Sequence, residues 1–233
     1  MTEPPATAAP ATPPTAATPP TAAIILAGGR ASRLDGAAKP LLDVGGRTLL
    51  DRAVAAVDGY SPLIVVGPQT PTHDHVVWTR ETPAYGGPVA GIVAGLALVD
   101  TAEVVLLAAD LPNAEDAVAL LRQHPPLVSG TDHEDDLDGV CLTDDAGRMQ
   151  WLTGRYRTAA LRASAAAMPD GGRDASMRSL LAPLTLTAMP AGDLAADIDT
   201  WDDLERERAR ARASASRPPR DSAPDSAPDE ETT

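Results

Sequence analysis

The chain has 233 residues, a formal net charge of −14 and 43% hydrophobic residues, enough to bury one full core. Its charge excludes a protein that coats nucleic acid, because neutralising many phosphates requires a basic face. No apolar run approaches about 18 residues, so no segment is expected to span a membrane. The single cysteine, Cys141, excludes an internal disulfide and a cysteine-built zinc site, which suits a cytoplasmic protein.

The two ends of the chain differ in composition from its middle. Residues 2–21 contain only Thr, Glu, Pro and Ala, and from Glu205 an Arg/Glu/Ala stretch leads into an acidic, Pro-rich tail. Neither end has the apolar side chains to form a core, and the first lacks the pattern of a secretory signal. We therefore expect a disordered leader at 1–21, one domain at 22–205, and a helix end with a disordered tail at 206–233.

Short β-rich apolar runs alternate with Ala/Leu helical patterns along the domain. The sequence predicts strands at 22–27, 62–66, 75–79, 103–108, 138–142, about 149–152 and 184–188. It predicts helices at 47–58, 88–99, 114–123, 155–167, 175–182 and 200–212. Apolar strands joined by helical crossovers predict an α/β fold with a mainly parallel sheet covered by helices on both faces. In such sheets ligands bind beyond the carboxyl ends of the strands, so the loops that follow the early strands should carry the chemistry.

Lys39 is the only lysine among 19 basic residues, and it ends a Gly-rich segment that follows the first predicted strand. Gly28 and Gly29 would let the backbone approach a phosphate and would offer N–H donors. Arg33 and Lys39 could neutralise phosphate oxygens, and the flexible Lys39 ammonium can follow a charge that grows as a bond breaks. The alternative interpretation is a glycine turn with solvated arginines.

Asp110 follows the predicted strand 103–108 and precedes Leu111 and Pro112. A carboxylate at the end of a buried strand is well placed to hold Mg²⁺ while phosphates complete its coordination. A turn or helix-capping role is the structural alternative. Asp197 and Asp199 come later in the chain and could face one pocket from an extended segment, although capping explains them equally well.

The segment 86–92 starts a predicted helix with Pro88 near its first turn. Its small residues would leave room for a purine base, and tight packing of the helix on the sheet is the alternative interpretation. The four histidines are scattered without the spacing of metal ligands, so no transition-metal site is expected.

Together these residues resemble the molybdenum cofactor guanylyltransferases, which are MobA-like nucleotidyltransferases. The resemblance covers about residues 22–205 and implies a three-layer, Rossmann-like fold of the GT-A type. Its matching elements are Leu26-Ala27-Gly28-Gly29-x-x-Ser32-Arg33-x-x-Gly36-x-x-Lys39-Pro40, Asp110-Leu111-Pro112, Gly87-Pro88-Val89-Ala90-Gly91 and Asp199-Thr200-Trp201-Asp202-Asp203-Leu204.

The resemblance implies an enzyme that moves GMP from Mg·GTP to the terminal phosphate of molybdopterin and releases pyrophosphate. It implies Mg²⁺ as cofactor, GTP and molybdopterin as substrates, and a molybdoenzyme or its chaperone as a protein partner. Arg33 and Lys39 would then contact the triphosphate, and Asp110 would hold the Mg²⁺. The residues implied to contact the nucleotide are Leu26, Ala27, Gly28 and Gly29.

Two positions depart from the family pattern. Gly67 begins a Gly-Pro-Gln segment where the family has Asn after the second strand, and Arg80 and Glu81 stand where it has an Asp before the Gly-Pro motif. We include Gly67 and Glu81 among the predicted nucleotide-binding residues, since Glu81 could read the N1–H and N2–H₂ edge of guanine. Arg80 is the alternative occupant of that position.

The segment 197–200 is closer to the cytidylyl branch of the family, so the choice of base stays open. Three hypotheses therefore remain. The first is GMP transfer to molybdopterin, and the second is transfer from CTP to molybdopterin or from another nucleotide to a sugar phosphate. The third is a nucleotide-binding scaffold without catalytic activity.

Overall fold

A seven-stranded sheet forms the centre of the protein in a computed structural model of the chain. The residues that the structure describes are 21–28, 38–70, 73–127 and 137–215. Residues 1–20 of the expected leader and 216–233 of the expected C-terminal segment lie outside the described residues, so the leader, the tail and the domain boundaries stay predictions.

Nine strands follow one another along the described residues. They are β1 (Thr21–Leu26), β2 (Asp43–Val44), β3 (Arg47–Thr48), β4 (Leu63–Val66), β5 (Val77–Thr79), β6 (Glu103–Ala108), β7 (Gly139–Thr143), β8 (Met149–Arg157) and β9 (Leu186–Pro190). β2 and β3 form a separate hairpin, and the others form the sheet in the order β5-β4-β1-β6-β8-β7-β9. Of these seven, β8 alone runs antiparallel to its neighbours, so the sheet is mainly parallel.

Six α-helices lie in the same part of the chain. They are α1 (Leu49–Ala56), α2 (Pro88–Leu96), α3 (Ala114–Arg122), α4 (Thr158–Ala166), α5 (Met177–Leu181) and α6 (Trp201–Ala215). Single 3₁₀ turns occur at Lys39–Leu41, Pro169–Gly172 and Gly192–Ala195. None of the described helices is long and apolar enough to cross a membrane.

The helices cover both faces of the sheet. Ala23 and Ile25 of β1 are buried in a core with α1 and α3. The alternate residues Ala22 and Ile24 are buried in a second core with α2, α4 and α5. Because successive side chains of a strand point to opposite faces, this pattern places β1 between two helical layers. The expected three-layer, Rossmann-like α/β fold is thus confirmed.

The predicted helix at 47–58 begins two residues too early. Its first two residues form β3, which pairs with β2 across a turn at Gly45-Gly46. Both glycines have positive φ angles, 66° and 84°, a conformation that glycine adopts without steric cost. The chain therefore reverses before the helix starts, and the Thr48 hydroxyl then accepts the backbone N–H of Asp51 and caps the helix.

The predicted helix at 155–167 also begins too early, because β8 continues to Arg157. β8 lies between β6 and β7 and pairs with both of them. An extended conformation thus satisfies its backbone groups on both sides, which a helix at this place would not. The other predicted strands and helices are confirmed with small shifts of their ends.

A buried ion pair joins β6 to β8 at the edge of the sheet opposite the predicted site. Glu103 is 2% exposed, and its carboxylate lies 3.3 Å from Nε of Arg155. The same carboxylate accepts the backbone N–H of Leu127 at 2.6 Å, and Arg155 donates to the carbonyl of His124 at 2.8 Å. The pair therefore fixes the segment that follows α3 against the sheet.

We expect Arg155→Met to lower the free energy of unfolding by about 3–5 kcal/mol, because Glu103 stays buried and loses the guanidinium that faces it. The matched control is Arg148→Met, whose guanidinium pairs with Asp144 at 2.7 Å on the surface and whose side chain is 79% exposed. That variant should change stability by no more than about 0.5 kcal/mol. Urea unfolding of both variants measures the difference, and equal losses would contradict the distinction.

Candidate active site

A cavity of about 700 Å³ opens at the carboxyl edge of the sheet. A smaller pocket of about 230 Å³, here called the Lys39 pocket, shares several of its walls. The residues that line both are Leu26, Gly28, Glu81, Tyr85 and Asp110. They follow or end β1, β5 and β6, so the chain places its loops where ligands bind in parallel sheets.

Lys39 lies among carboxylates from distant parts of the chain. Its Nζ donates to Asp199 Oδ1 at 2.7 Å and lies 3.7 Å from Asp110 Oδ2. Partial burial opposes the positive charge, but the hydrogen bond to Asp199 and the charges of Asp110, Asp199 and Asp197 outweigh it and raise the pKa of Lys39. The ammonium therefore stays protonated at neutral pH.

Asp110 lies just beyond the end of β6, and its side chain is 25% exposed. Burial and the charge of Asp197 raise the pKa of Asp110 to about 6, although the charge of Lys39 opposes the shift. The negative charge at this point thus exceeds what one lysine balances. A second cation would relieve the repulsion, so the residues fit a hard, oxygen-preferring ion such as Mg²⁺.

Among the described residues, no group of three or more His, Cys, Asp and Glu side chains has the arrangement of a metal centre. Mg²⁺ usually takes only one or two protein carboxylates and completes its shell with water and substrate phosphates. Asp110 together with Asp197 or Asp199 offers such a partial set.

The predicted nucleotide-binding residues lie around these two spaces, except for two that fall outside the described residues. Ala27 and Gly67 line the Lys39 pocket. A Cβ atom on Gly67 would lie 2.8 Å from the carbonyl oxygen of Ala27, so glycine is required by the close approach of two loops. The two predicted residues outside the described part of the chain are Gly29 and Arg33.

The small residues at the start of α2 were expected either to leave room for a base or to let the helix pack tightly on the sheet. Gly87 and Pro88 line the large cavity. Gly91 lines it as well, and a Cβ there would lie 3.3 Å from the side chain of Leu26, so α2 also packs tightly on β1. The structure therefore supports packing and cavity lining at the same positions.

Arg80 and Glu81 occupy different environments. Glu81 lines both spaces and accepts the backbone N–H of Tyr85 at 2.7 Å through Oε1. Arg80 lines the Lys39 pocket but not the large cavity. Its guanidinium lies 4.9 Å from the centre of the Tyr85 ring. Tyr85 itself is 53% exposed and has a φ of 66°.

Sequence reasoning missed one part of the wall of the large cavity. Its residues belong to β8, to the turn before α5 and to the start of α5, and they include Met149, Trp151, Arg173, Asp174 and Met177. Among the described residues that line this cavity, Arg173 is the only basic one. The signal available in the sequence was Gly171-Gly172 directly before the arginine. Both glycines have positive φ, and Gly172 packs against Val89 of α2 so closely that a Cβ would clash.

The raised pKa of Asp110 generates a prediction about stability. A carboxyl group whose pKa is higher in the fold than in the unfolded chain opposes folding once it ionises, so its effect grows as the pH rises from 4 to 6. From a pKa of about 6 against an ordinary 3.8, the ionised group destabilises the fold at pH 7 by on the order of 3 kcal/mol. Asp110→Asn should therefore raise the free energy of unfolding at pH 7 and change it little at pH 4.

Urea unfolding at the two pH values measures this effect. The control is Asp144→Asn, because hydrogen bonds from the backbone of Arg148 lower the pKa of Asp144. Its ionised form favours folding above its ordinary pKa, so that variant should lose stability at pH 7. An Asp110→Asn protein that is less stable than the parent at pH 7 would contradict the assignment.

Comparison with known proteins shows which family this domain matches. Residues 23–188 match the MobA-like NTP transferase domain. The molybdenum cofactor guanylyltransferase of Pseudomonas putida (strain GB-1) is 34% identical over 120 residues, which are 43% of this chain and 62% of that protein. The enzyme of the same name from Bradyrhizobium sp. (strain ORS 278) is 28% identical over 166 residues, 58% of this chain and 78% of that protein. The chain thus spans less than two thirds of the first of these relatives.

Solved structures share the fold at low sequence identity. A nucleotidyl transferase from Methanothermobacter thermautotroptrophicus superimposes with a TM-score of 0.62 at 18% identity, over 83% of this chain and 98% of that one. The 2-C-methyl-D-erythritol 4-phosphate cytidylyltransferase from Thermus thermophilus gives 0.58 at 19% identity, over 82% and 98%. The matched domain covers well over half of the sequence, and the chain belongs to the MobA-like NTP transferase family.

Proposed function

We propose that this protein is a nucleotidyltransferase that moves GMP from Mg·GTP to the phosphate of molybdopterin and releases pyrophosphate. The observation that carries the proposal is the meeting of Lys39, Asp110 and Asp199 beside a cavity of about 700 Å³. Cavities of this size hold one large ligand or two small ones. Three relatives carry the name molybdenum cofactor guanylyltransferase, which supports molybdopterin as the acceptor.

In the proposed reaction, an oxygen of the acceptor phosphate attacks the α-phosphorus of GTP. The new P–O bond forms as the bond from the α-phosphorus to its bridging oxygen breaks, and that oxygen leaves with the β- and γ-phosphates as pyrophosphate. No covalent bond to the protein is needed, because positioning and charge neutralisation carry this kind of transfer. The protein must therefore hold two anions close together and stabilise the charge that develops between them.

Lys39 is the residue that fits the developing charge. Its ammonium is protonated, and its flexible four-carbon side chain places Nζ beside the carboxylates of Asp110 and Asp199. On nucleotide binding it would exchange Asp199 for a phosphate oxygen and follow that oxygen as its charge grows. Asp110 with Asp197 or Asp199 would hold Mg²⁺, which neutralises phosphate charge when it is bound.

Glu81 supports guanine as the base. Glu81 lines both cavities, and the hydrogen bond from the backbone N–H of Tyr85 fixes the orientation of one carboxylate oxygen. A carboxylate can accept both N1–H and N2–H₂ of guanine, which Arg80 cannot do because it has only donors. The Arg80 guanidinium is instead engaged with the ring of Tyr85.

The wall formed by β8 and the turn before α5 supports an acceptor that combines a ring system with a phosphate. Met149, Trp151 and Met177 give this wall apolar and aromatic surface. Arg173 adds a guanidinium, whose planar donors suit a phosphate. The nucleotide would then lie against Leu26, and the acceptor against Met149 and Trp151. Arg173 lies beside Glu81, because the Cγ atoms of both are 3.7 Å from the position that a Cβ on Gly86 would take.

The role of Lys39 can be tested in turnover. Lys39→Ala should lower the rate of pyrophosphate release from GTP and molybdopterin by a factor of about 100 or more, because the lost charge acts mainly in the transition state. Lys39→Arg should restore little, since the planar guanidinium cannot follow the same oxygen. Circular dichroism checks that both variants fold. Parental rates in either variant would remove Lys39 from the mechanism.

Calorimetric titration tests the choice of base. With Mg²⁺ present, GTP should bind at least about tenfold more tightly than CTP, ATP or UTP if Glu81 reads two donors of the base. Tightest binding of CTP would favour the cytidylyl alternative, and turnover with a sugar phosphate would change the acceptor. Binding without turnover on any acceptor would favour a scaffold.

The same titrations test the metal ligand. Asp110→Asn should leave GTP affinity in EDTA nearly unchanged and lose most of the gain that Mg²⁺ gives, because a hard cation depends on the negative charge. Asp144→Asn is the control, because Asp144 lines neither cavity, and it should keep the full gain. If Asp110→Asn kept it too, Asp197 and Asp199 would become the candidate ligands.

A further inference from the structure

A third hydrophobic cluster, separate from the two cores on the sheet faces, lies next to the candidate site. Its buried residues are Val44, Leu49, Ile198 and Leu204, with Leu42 and Ala211 packed against them. They come from three places: the hairpin that follows Lys39, the start of α1, and the chain from Ile198 into α6. We call this group the α6 cluster.

Ile198 links the α6 cluster directly to the carboxylates. Its side chain is fully buried in the cluster, and its backbone N–H donates to the carbonyl oxygen of Asp110 at 3.2 Å. Its two neighbours reach the site: Asp197 lines the large cavity, and Asp199 pairs with Lys39. One buried side chain thus anchors a segment that carries two acidic groups.

The start of α6 fixes Asp199 from the other side. Asp203 Oδ2 accepts the backbone N–H of Asp199 at 3.1 Å and that of Thr200 at 2.8 Å. The Thr200 hydroxyl accepts the N–H of Asp203 in return, as expected for the N-cap of a helix. Leu204, the next residue, is fully buried in the α6 cluster. The position of α6 therefore determines the position of Asp199.

α6 is also held against the hairpin that follows Lys39. A Cβ on Gly45 would lie 3.0 Å from the Cβ of Ala211, so the helix approaches the hairpin turn closely. Arg208 Nε donates to the carbonyl oxygen of Asp43 at 3.0 Å. The helix lies beyond residue 188, where the match to the family domain ends.

We propose that the α6 cluster aligns Lys39 with Asp110 and Asp199, and that Ile198 and Leu204 are positioning residues of the active site. The physical need is clear, because like charges so close together repel and would separate without a constraint. Packing of α6 on the hairpin supplies that constraint. The hairpin follows Lys39, and the start of α6 holds Asp199, so both partners of the ion pair are fixed. The inference deepens the proposed function and rests on it for turnover, but its first test is independent of activity.

The first test uses the fact that the chain has one lysine. Acetylation by an N-hydroxysuccinimide ester, followed by peptide mass spectrometry, reports the reactivity of Lys39 alone. In Leu204→Ala of the full chain, we expect Lys39 to react at least about fivefold faster, since a loosened ion pair exposes an amine whose side chain is only 19% exposed in the parent. The matched control is Leu121→Ala, a fully buried leucine of α3 in the core between that helix and the sheet.

The control should lose comparable thermal stability while Lys39 reactivity stays within about twofold of the parent, because the same side chain is truncated at a distant site. A parental labelling rate in Leu204→Ala, or an equal increase in Leu121→Ala, would overturn the proposal. Ile198→Val, with Ile64→Val as its control, repeats the comparison with a smaller loss of packing, in case the alanine variants fail to fold.

The second test separates positioning from general loss of structure. In Leu204→Ala, kcat should fall by about tenfold or more while KM for GTP changes less than about twofold, because a small misplacement of charged groups affects the transition state most. Leu121→Ala should keep both constants. Faster labelling with parental kcat would overturn the positioning role, whereas absence of turnover in the parent would refute the proposed function and leave the labelling result valid.

Discussion

The repulsion between carboxylates around Lys39 is the constraint on which the candidate site depends. Asp110, Asp197 and Asp199 act on one ammonium, and the charge of Asp197 adds to burial in raising the pKa of Asp110 to about 6. Such a group of like charges is unfavourable in an isolated domain. A bound cation would relieve this repulsion, which suits a site that binds a metal–nucleotide complex.

The sheet brings these groups together through its central strands. β1 pairs in parallel with both β4 and β6, so the loops that follow all three strands meet at one edge. Gly67, after β4, lies against Ala27, after β1, so these two loops are in close contact. The backbone N–H of Ala109, after β6, donates to the carbonyl oxygen of Leu26 at the end of β1. The edge is therefore rigid at the point where Asp110 projects.

Much of the fold could be predicted from the sequence, because its strongest signals are local. Unbroken apolar runs indicate β1, β4 and β6, and the apolar stripe of α1 predicts that helix correctly apart from its start. The β2–β3 hairpin was missed because Arg47 and Thr48 of β3 continue the helical pattern of α1, and the turn at Gly45 and Gly46, which have positive φ, separates β3 from β2. The end of β8 was missed because pairing with two neighbours, rather than its own composition, keeps it extended.

The residues of the candidate site also fall into two groups, those that a local sequence signal indicates and those that only long-range contacts bring to the site. Lys39 and Asp110 stand out in the sequence through a lone lysine and a strand-end carboxylate, each recognisable within a few residues. The bond from Lys39 to Asp199 spans 160 residues, and no local pattern indicates that these two side chains should meet. Arg173 was missed for the same reason, since its place in the cavity depends on Gly172 packing against a helix far earlier in the chain.

The net charge of −14 affects how this site could bind anionic ligands. The two anionic substrates of the proposed function would approach a protein whose overall charge repels them, so long-range attraction would not be the source of affinity. Binding must instead come from short-range contacts with a few cations in fixed positions. Lys39 lines the smaller pocket, and Arg173 lines the large cavity beside Glu81. Under the proposed positioning role of α6, Lys39 is such a cation, because the helix and its cluster hold Asp199 against the ammonium.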